Sequence, residues 1–262
     1  MNRDLLAARD LAADLAVRAG RLQIERRDTL TMGAPKAHVN DVVSDVDIAS
    51  ERLIVDGIHA AWPDDTMQAE EGNGREGTSG WSWIIDPLDG TRNYVSRTGP
   101  WSVCVALYQG DVPRMAVVHD PAADETFSAI DGSGALLNGR PIKASSGSPL
   151  AESLIGVSFQ PNVKTKTRTG LLVRELLPLS GDVRRIPAAL NLVYQASGRL
   201  DGGVALDTKL WDIAAGALIA REAGVVLGGH GPDYTTTLTI GAAPGLWAEL
   251  SERVRTIDRP GS

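Results

Sequence analysis

Apolar residues recur at helical spacing from the start of the chain. Leu5, Ala8, Ala12, Leu15, Ala19 and Leu22 line one face and predict an amphipathic helix over about residues 4–27. A second helix is predicted from Ser44, packing through Ala49, Leu53, Ile54 and Ile58. Residues 72–80, rich in glycine, form a loop whose tip is placed to close over a site, between Glu71 and an apolar strand entering Asp86. Residues 102–108 and 114–119 read as strands joined around Gln109-Gly110-Asp111, followed by a short strand at 126–130 and a turn at Asp131-Gly132. After Ser145-Ser146-Gly147 the pattern alternates: strand 154–159, helix 168–178, strand 182–186, helix 188–197, strand 200–206, helix 211–223. This predicts an α/β chain, α+β over residues 1–145 and α/β over 146–262.

Composition bounds the function classes. The 262 residues, 43% hydrophobic, suffice for a large buried core and exclude wholesale disorder. A net charge of −7, from 26 basic and 33 acidic residues with no long basic run, argues against a broad nucleic-acid footprint. No nucleic-acid partner is expected. No run approaches about 18 apolar residues and the N-terminal stretch is amphipathic, so neither a membrane partner nor a secretory signal is expected, and a cytoplasmic location is inferred. The single Cys104 has no disulfide partner and reads as a small core hydrophobe. His38, His59, His119 and His230 show no paired spacing, which argues against a zinc centre or a histidine-based triad.

The chemistry concentrates in Trp83-Ile84-Ile85-Asp86-Pro87-Leu88-Asp89-Gly90-Thr91-Arg92-Asn93-Tyr94, where an apolar run ends in two carboxylates and a Gly-Thr pair. A buried strand delivers Asp86. Pro87 fixes φ and removes a donor, so the chain is expected to turn there and bring Asp89 to face the same point. Carboxylate oxygens suit hard cations such as Mg²⁺, which usually share their shell with substrate phosphate. Gly90 lets the backbone approach an anion, with amides of a following helix pointing at it. Asp, Pro and Gly also make ordinary surface turns. A decorative turn, however, predicts neither Glu70-Glu71-Gly72 upstream nor Trp211-Asp212 at a helix start downstream.

Together with Asp41-Val42-Val43-Ser44-Asp45-Val46-Asp47, Leu137-Asn138-Gly139-Arg140-Pro141-Ile142 and the Trp211 to Gly224 segment, these residues make the chain resemble the inositol monophosphatase family of metal-dependent, lithium-sensitive phosphatases, from about Lys36 to about Gly224. The resemblance implies a layered α-β-α-β-α sandwich with a metal site between its halves. It implies Mg²⁺ as cofactor, about two or three ions per site, with Mn²⁺ able to substitute and Li⁺ inhibitory. A homodimer and a small phosphate monoester of a polyol, sugar or amino alcohol follow from it too. Carried over residue by residue, Glu70, Asp86, Asp89, Asp212 and the Leu88 carbonyl are the metal ligands. Glu70 and Thr91 position or deprotonate the attacking water, with Thr91 held by Asp47, and Lys36 matches a lysine near the site. Asp89, Gly90, Thr91, Arg184, Arg185, Ala188, Ala205 and Asp207 are the expected substrate contacts. Asp47 and Asp212 also sit where an acid caps a helix start.

Two departures touch the substrate. Members acting on inositol phosphates carry a glutamate seven residues before the Trp-Asp aspartate, where this chain has Ala205; Asp207 is near enough in sequence to compensate. Arg184-Arg185-Ile186-Pro187-Ala188-Ala189 stands where a Gly followed by Ser or Thr is usual, and Pro187 removes one backbone donor. Phosphatase chemistry is therefore expected intact and the alcohol pocket altered. The nearest alternative is a specialised histidinol-phosphate, fructose-1,6-bisphosphate or nucleoside-phosphate phosphatase, with Arg184 or Arg185 reading a second anion. A non-catalytic regulatory protein on the same fold is the alternative from another class.

Overall fold

The first helix, α1 (Leu5–Arg26), is opened by Asp4, whose carboxylate accepts from the N–H groups of Leu6 and Ala7. The computed structural model describes residues 3–28 and 44–258. Lys36, His38 and Asp41-Val42-Val43 lie outside the described residues. α2 (Asp45–Ala61) is followed by β1 (Thr66–Ala69), β2 (Trp81–Asp89), α3 (Thr91–Ser96), β3 (Ser102–Gln109), β4 (Val112–Asp120), β5 (Glu125–Ile130), β6 (Ala135–Leu137) and β7 (Arg140–Ile142). These strands form one sheet in chain order, with β1 parallel to β2 and the remaining pairs antiparallel. Strand alternation sends its side chains to two cores. Trp83, Ile85, Val103, Val105 and Leu107 pack with α1 and α2, whereas Ile84, Cys104 and Ala106 join the core on the opposite face.

The second half runs β8 (Leu154–Phe159), α4 (Val163–Leu176), β9 (Asp182–Arg185), α5 (Ala188–Ala196), β10 (Gly202–Leu206), α6 (Leu210–Glu222), β11 (Val226–Gly228), β12 (Leu238–Ala242) and α7 (Trp247–Ile257). Its sheet has the order β11-β12-β10-β8-β9, with β8, β9 and β10 parallel and β12 antiparallel to both neighbours. α5 and α6 are buried between the two sheets, through Ala189, Leu190, Val193, Ala214, Ala215 and Leu218. α4 and α7 cover the far face through Leu172, Leu176, Leu250 and Val254. The result is the expected α-β-α-β-α layering. No helix among the described residues is long and apolar enough to cross a membrane.

The middle layer is seated by glycines. Gly156 of β8, Gly203 of β10 and Gly241 of β12 lie side by side in the register of the sheet. Cβ atoms on the first two would stand 2.1 and 2.2 Å from Asn191 Oδ1, and one on Gly241 would stand 2.3 Å from Gln195 Oε1. This groove lets two polar side chains of α5 lie flat on the sheet. Asn191 Nδ2 donates to Ser158 Oγ at 3.0 Å, and Gln195 Nε2 donates back to Asn191.

Some elements differ from the periodicity reading. α4 starts at Val163 rather than 168, because Asn162 caps it through Thr165 N–H at 2.9 Å although Val163-Lys164-Thr165-Lys166-Thr167 carries no apolar repeat. β6 and β7 form a hairpin turned by Asn138 and Gly139, both at positive φ. β1, β11, β12 and α7 were not among the predicted elements.

Gly203→Ala is expected to destabilise the protein by about 1–3 kcal/mol, the usual cost of forcing extra volume into a packed interior. Urea unfolding reads the effect, and an unchanged midpoint would show that α5 can lift off its groove.

Candidate functional site

Two carboxylates three residues apart on a regular strand point to opposite faces. Here they share one. Asp86 pairs with Cys104 and Asp89 with Ser102, so β2 spends one more residue than β3 between these points. This β-bulge resets the alternation. The sequence reading placed a turn at Pro87; the strand instead continues through the irregularity, where the proline's missing N–H costs little. Asp86 Oδ1 accepts the N–H of Leu88 at 2.9 Å, and the carbonyl of Pro87 is held by Gln23 Nε2 of α1 at 2.7 Å.

The other acids arrive from three directions. Glu70 follows β1, its N–H bonded to the Ile85 carbonyl. Asp212 lies in the first turn of α6, where Oδ2 accepts from Lys209 N–H and Gln160 Nε2, both at 2.8 Å. Asp89 Oδ2 takes the N–H of Ala189 at the start of α5. Asp47, fully buried in the first turn of α2, divides its oxygens: Oδ2 accepts from the Ser44 backbone and hydroxyl, and Oδ1 faces Thr91 Oγ1 at 3.1 Å. Capping and site geometry thus use different atoms of one carboxylate. Thr91 Oγ1 also stands 3.1 Å from the Leu88 carbonyl, so its single proton has two acceptors.

A cavity of about 270 Å³ gathers Glu70, Asp86, Leu88, Asp89, Gly90, Thr91 and Asp212 with Ser158, Gln160, Lys166, Arg185, Pro187 and Ala188. Three positions expected at the substrate do not line it. Arg184 is exposed and paired with Asp182, because neighbours on β9 face opposite ways. Ala205 is buried in β10 between Ser158 and Thr239. Asp207, past the strand end at positive φ, gives one oxygen to Thr165 and the other to Arg168, both at 2.7 Å.

The crowding is electrostatically costly. Burial, then the charges of Glu70, Asp89 and Asp212, push Asp86 well above the usual carboxylate range. Burial and the Asp89 charge raise Asp212 to about 8. Burial raises Asp89 to about 6, against the lowering pull of the Ala189 N–H and Arg185. Burial also raises Asp47, opposed by its Ser44 and Thr91 hydrogen bonds. Among the described residues, no group of three or more His, Cys, Asp or Glu side chains is arranged so that it could hold a metal ion by itself. An open all-oxygen donor set beside a cavity fits Mg²⁺, which keeps waters and substrate oxygens in its shell and rarely takes an all-protein cage. Glu70, Asp86, Leu88, Asp89 and Asp212, the residues expected from the sequence to supply its ligands, all border the cavity.

Three supporting residues escaped the sequence reading. Gln23 bonds the bulge and also accepts from Trp101 Nε1. Glu51, buried in α2, accepts from the N–H groups of Glu71 and Asn73 and from the Asn73 amide, tying down the segment after Glu70. Gln160 orients Asp212. Gln23 lies four residues after Ala19 and Glu51 four after Asp47, so each falls on an inward helix face.

The sequence model of the inositol monophosphatase family matches residues 4–258. The Nus factor SuhB of Escherichia coli (strain K12) is 35% identical over 240 residues, covering 88% of this chain and 90% of that protein. The crystal structure of extragenic suppressor protein SuhB from Bartonella henselae superposes with a TM-score of 0.89 at 27% identity, covering 98% of this chain and 100% of that one. Inositol monophosphatase from Anabaena (Nostoc) gives 0.84 at 29% identity, covering 97% and 98%.

The raised carboxyls set the sign of a pH effect. Folding lifts Asp89 and Asp212 above their ordinary 3.8, so the folded chain binds more protons than the unfolded one and loses stability as pH rises through about 6 and 8. The chelator-treated protein is expected to melt at progressively lower temperature between about pH 5 and 8, and Mg²⁺ to flatten the slope by taking the protons' place. Thermal melts of wild type and Asp212→Asn check this; a slope indifferent to both Mg²⁺ and the substitution would contradict it.

Proposed function

Because the chain belongs to the inositol monophosphatase family, we propose that it is a Mg²⁺-dependent phosphomonoesterase acting on a small phosphorylated polyol, sugar or amino alcohol. The observation that carries this reading is the bulge that turns Asp86 and Asp89 to one side, beside Glu70 and Asp212. Bound Mg²⁺ supplies Lewis acidity at the phosphate and lowers the pKa of a water. The remaining work belongs to the chain. Asp47 accepts the Thr91 proton, leaving the Thr91 oxygen lone pairs to receive a hydrogen bond from that water. Glu70 would take the water's proton as the new P–O bond forms and the P–O bond to the alcohol breaks, the leaving alkoxide being protonated by solvent. Gly90, at φ +99° with Pro187 Cγ 2.9 Å from where a Cβ would stand, lets the backbone between β2 and α3 pack against Pro187 at the edge of the cavity. With Asp212 held by Gln160 and Asp89 by Ala189, little reorganisation is needed during the reaction. Inhibition by Li⁺, use of Mn²⁺, a homodimeric assembly and a cytoplasmic location belong to this reading.

The Nus factor name of the Escherichia coli relative favours a second reading, in which the chain acts through a macromolecular partner, nucleic acid included, beside or instead of catalysis. That bears against the expectation of no nucleic-acid partner drawn from charge.

Asp89→Asn separates the two. It keeps the shape and removes the charge, so Mg²⁺-dependent phosphate release from a panel of phosphomonoesters is expected to fall about a hundredfold or more, the scale of a lost transition-state electrostatic contact, while the melting transition persists. Near-wild-type turnover at saturating Mg²⁺ would remove Asp89 from the metal site. A wild type inert on every ester would favour the partner reading.

A further inference from the structure

The part of the cavity built by β8, α4 and β9 offers cationic donors and lacks a carboxylate acceptor. Lys166 of α4 and Arg185 of β9 line it. Among the described residues neither forms an ion pair, although Arg184 next in the chain is paired to Asp182 and Arg168 on α4 to Asp207 and Asp258. Arg185 is aimed by its surroundings. Its guanidinium carbon lies 5.1 Å from the centre of the Phe159 ring, a cation–π contact that helps hold the side chain at the cavity. The backbone just after it is pinned by Ser158 Oγ donating to the Ile186 carbonyl at 2.7 Å and by Ile186 N–H donating to Val157.

A neutral polyol needs acceptors as well as donors. Asp207, outside the acid cluster, spends both oxygens on Thr165 and Arg168, and Gln160, whose Nε2 donates to Asp212, leaves only a neutral amide oxygen as acceptor. Two cations at the rim of the cavity, neither in an ion pair among the described residues although Arg185 feels the charge of Asp89, can receive an anion, and the guanidinium fork matches the paired oxygens of a carboxylate or phosphate. Arg92, the third cation of the lining, stands on α3 beside Thr91, next to the acid cluster rather than to β9 and α4.

We propose that the substrate carries, besides the phosphate that is cleaved, a second anionic group, phosphate or carboxylate, held by Arg185 and Lys166. This rests on the phosphomonoesterase reading and names its substrate class. A small ester with an anion at each end fits the cavity's two-sided chemistry: acids and metal for one end, a guanidinium and an ammonium for the other.

The test measures phosphate release by the full chain with Mg²⁺ on two matched pairs. One sets glucose 1,6-bisphosphate against glucose 1-phosphate, the other 2-phosphoglycerate against glycerol 2-phosphate. The expected result is a kcat/KM preference of about tenfold or more for the doubly anionic member of at least one pair, which also tells phosphate from carboxylate. Arg185→Gln and, independently, Lys166→Gln are expected to shrink that ratio by about tenfold through KM, and Arg185→Lys by less. Equal rates within both pairs would overturn the inference and leave the phosphatase reading standing. So would a proportionate loss on both members in Arg185→Gln, which would put Arg185 on the cleaved phosphate. No release from any ester would overturn the phosphatase reading, and this inference with it.

Discussion

One surplus residue on β2 organises the site. Without it Asp86 and Asp89 would face different cores, one toward α1 and α2 and the other toward α5 and α6. With it both carboxylates reach the same cavity, and the irregular backbone frees carbonyls that a regular ladder would consume. The Pro87 carbonyl is then taken by Gln23, while that of Leu88 is left beside the Thr91 hydroxyl at 3.1 Å. The helix that covers the sheet and the hydroxyl that faces the reaction are thus fastened to the same four residues. Gln23 also binds Trp101, and Tyr94 donates to its carbonyl, so one residue of α1 is bonded to β2, to α3 and to the segment after α3.

The same site works against the fold's stability. Asp86, Asp89 and Asp212 all hold protons more tightly than a free carboxylate, because each is buried among charges of its own sign. The structure limits the damage by giving several acids local work. Asp212 back-bonds its helix start, Asp89 receives the first amides of α5, and Asp47 closes the start of α2. Each carboxylate is held by backbone donors that also terminate a helix, so orienting the site and capping the helices are one set of interactions.

The layered fold was legible because long amphipathic helices and continuous apolar strands announce themselves by period, and the acid motif because its residue types are dense. The bulge was not. Proline inside an apolar run reads as a stop, and only the cross-strand register shows that the strand carries on. β12 was missed as five buried residues containing glycine, with no alternation to detect. Gln23 and Glu51 read as ordinary polar positions of surface helices until the loops they bind fold over them. Arg184 and Arg185 looked equivalent in sequence; both are exposed, but the two-residue period of β9 turns only Arg185 to the rim of the cavity.

The glycine groove under α5 governs how such a site can diversify. Asn191 and Gln195 rest against three strands drawn from distant parts of the chain, so tilting or sliding the helix would demand matched changes at Gly156, Gly203 and Gly241 together. Single substitutions cannot reach such an arrangement stepwise. The helix and the Asp89 contact at its start are frozen against drift. Substrate contacts are freer to change at Gln160, Lys166 and Arg185, which border the cavity and belong to none of the packed hydrophobic clusters. A lineage built on this scaffold can exchange the molecules it recognises while its reaction centre stays still.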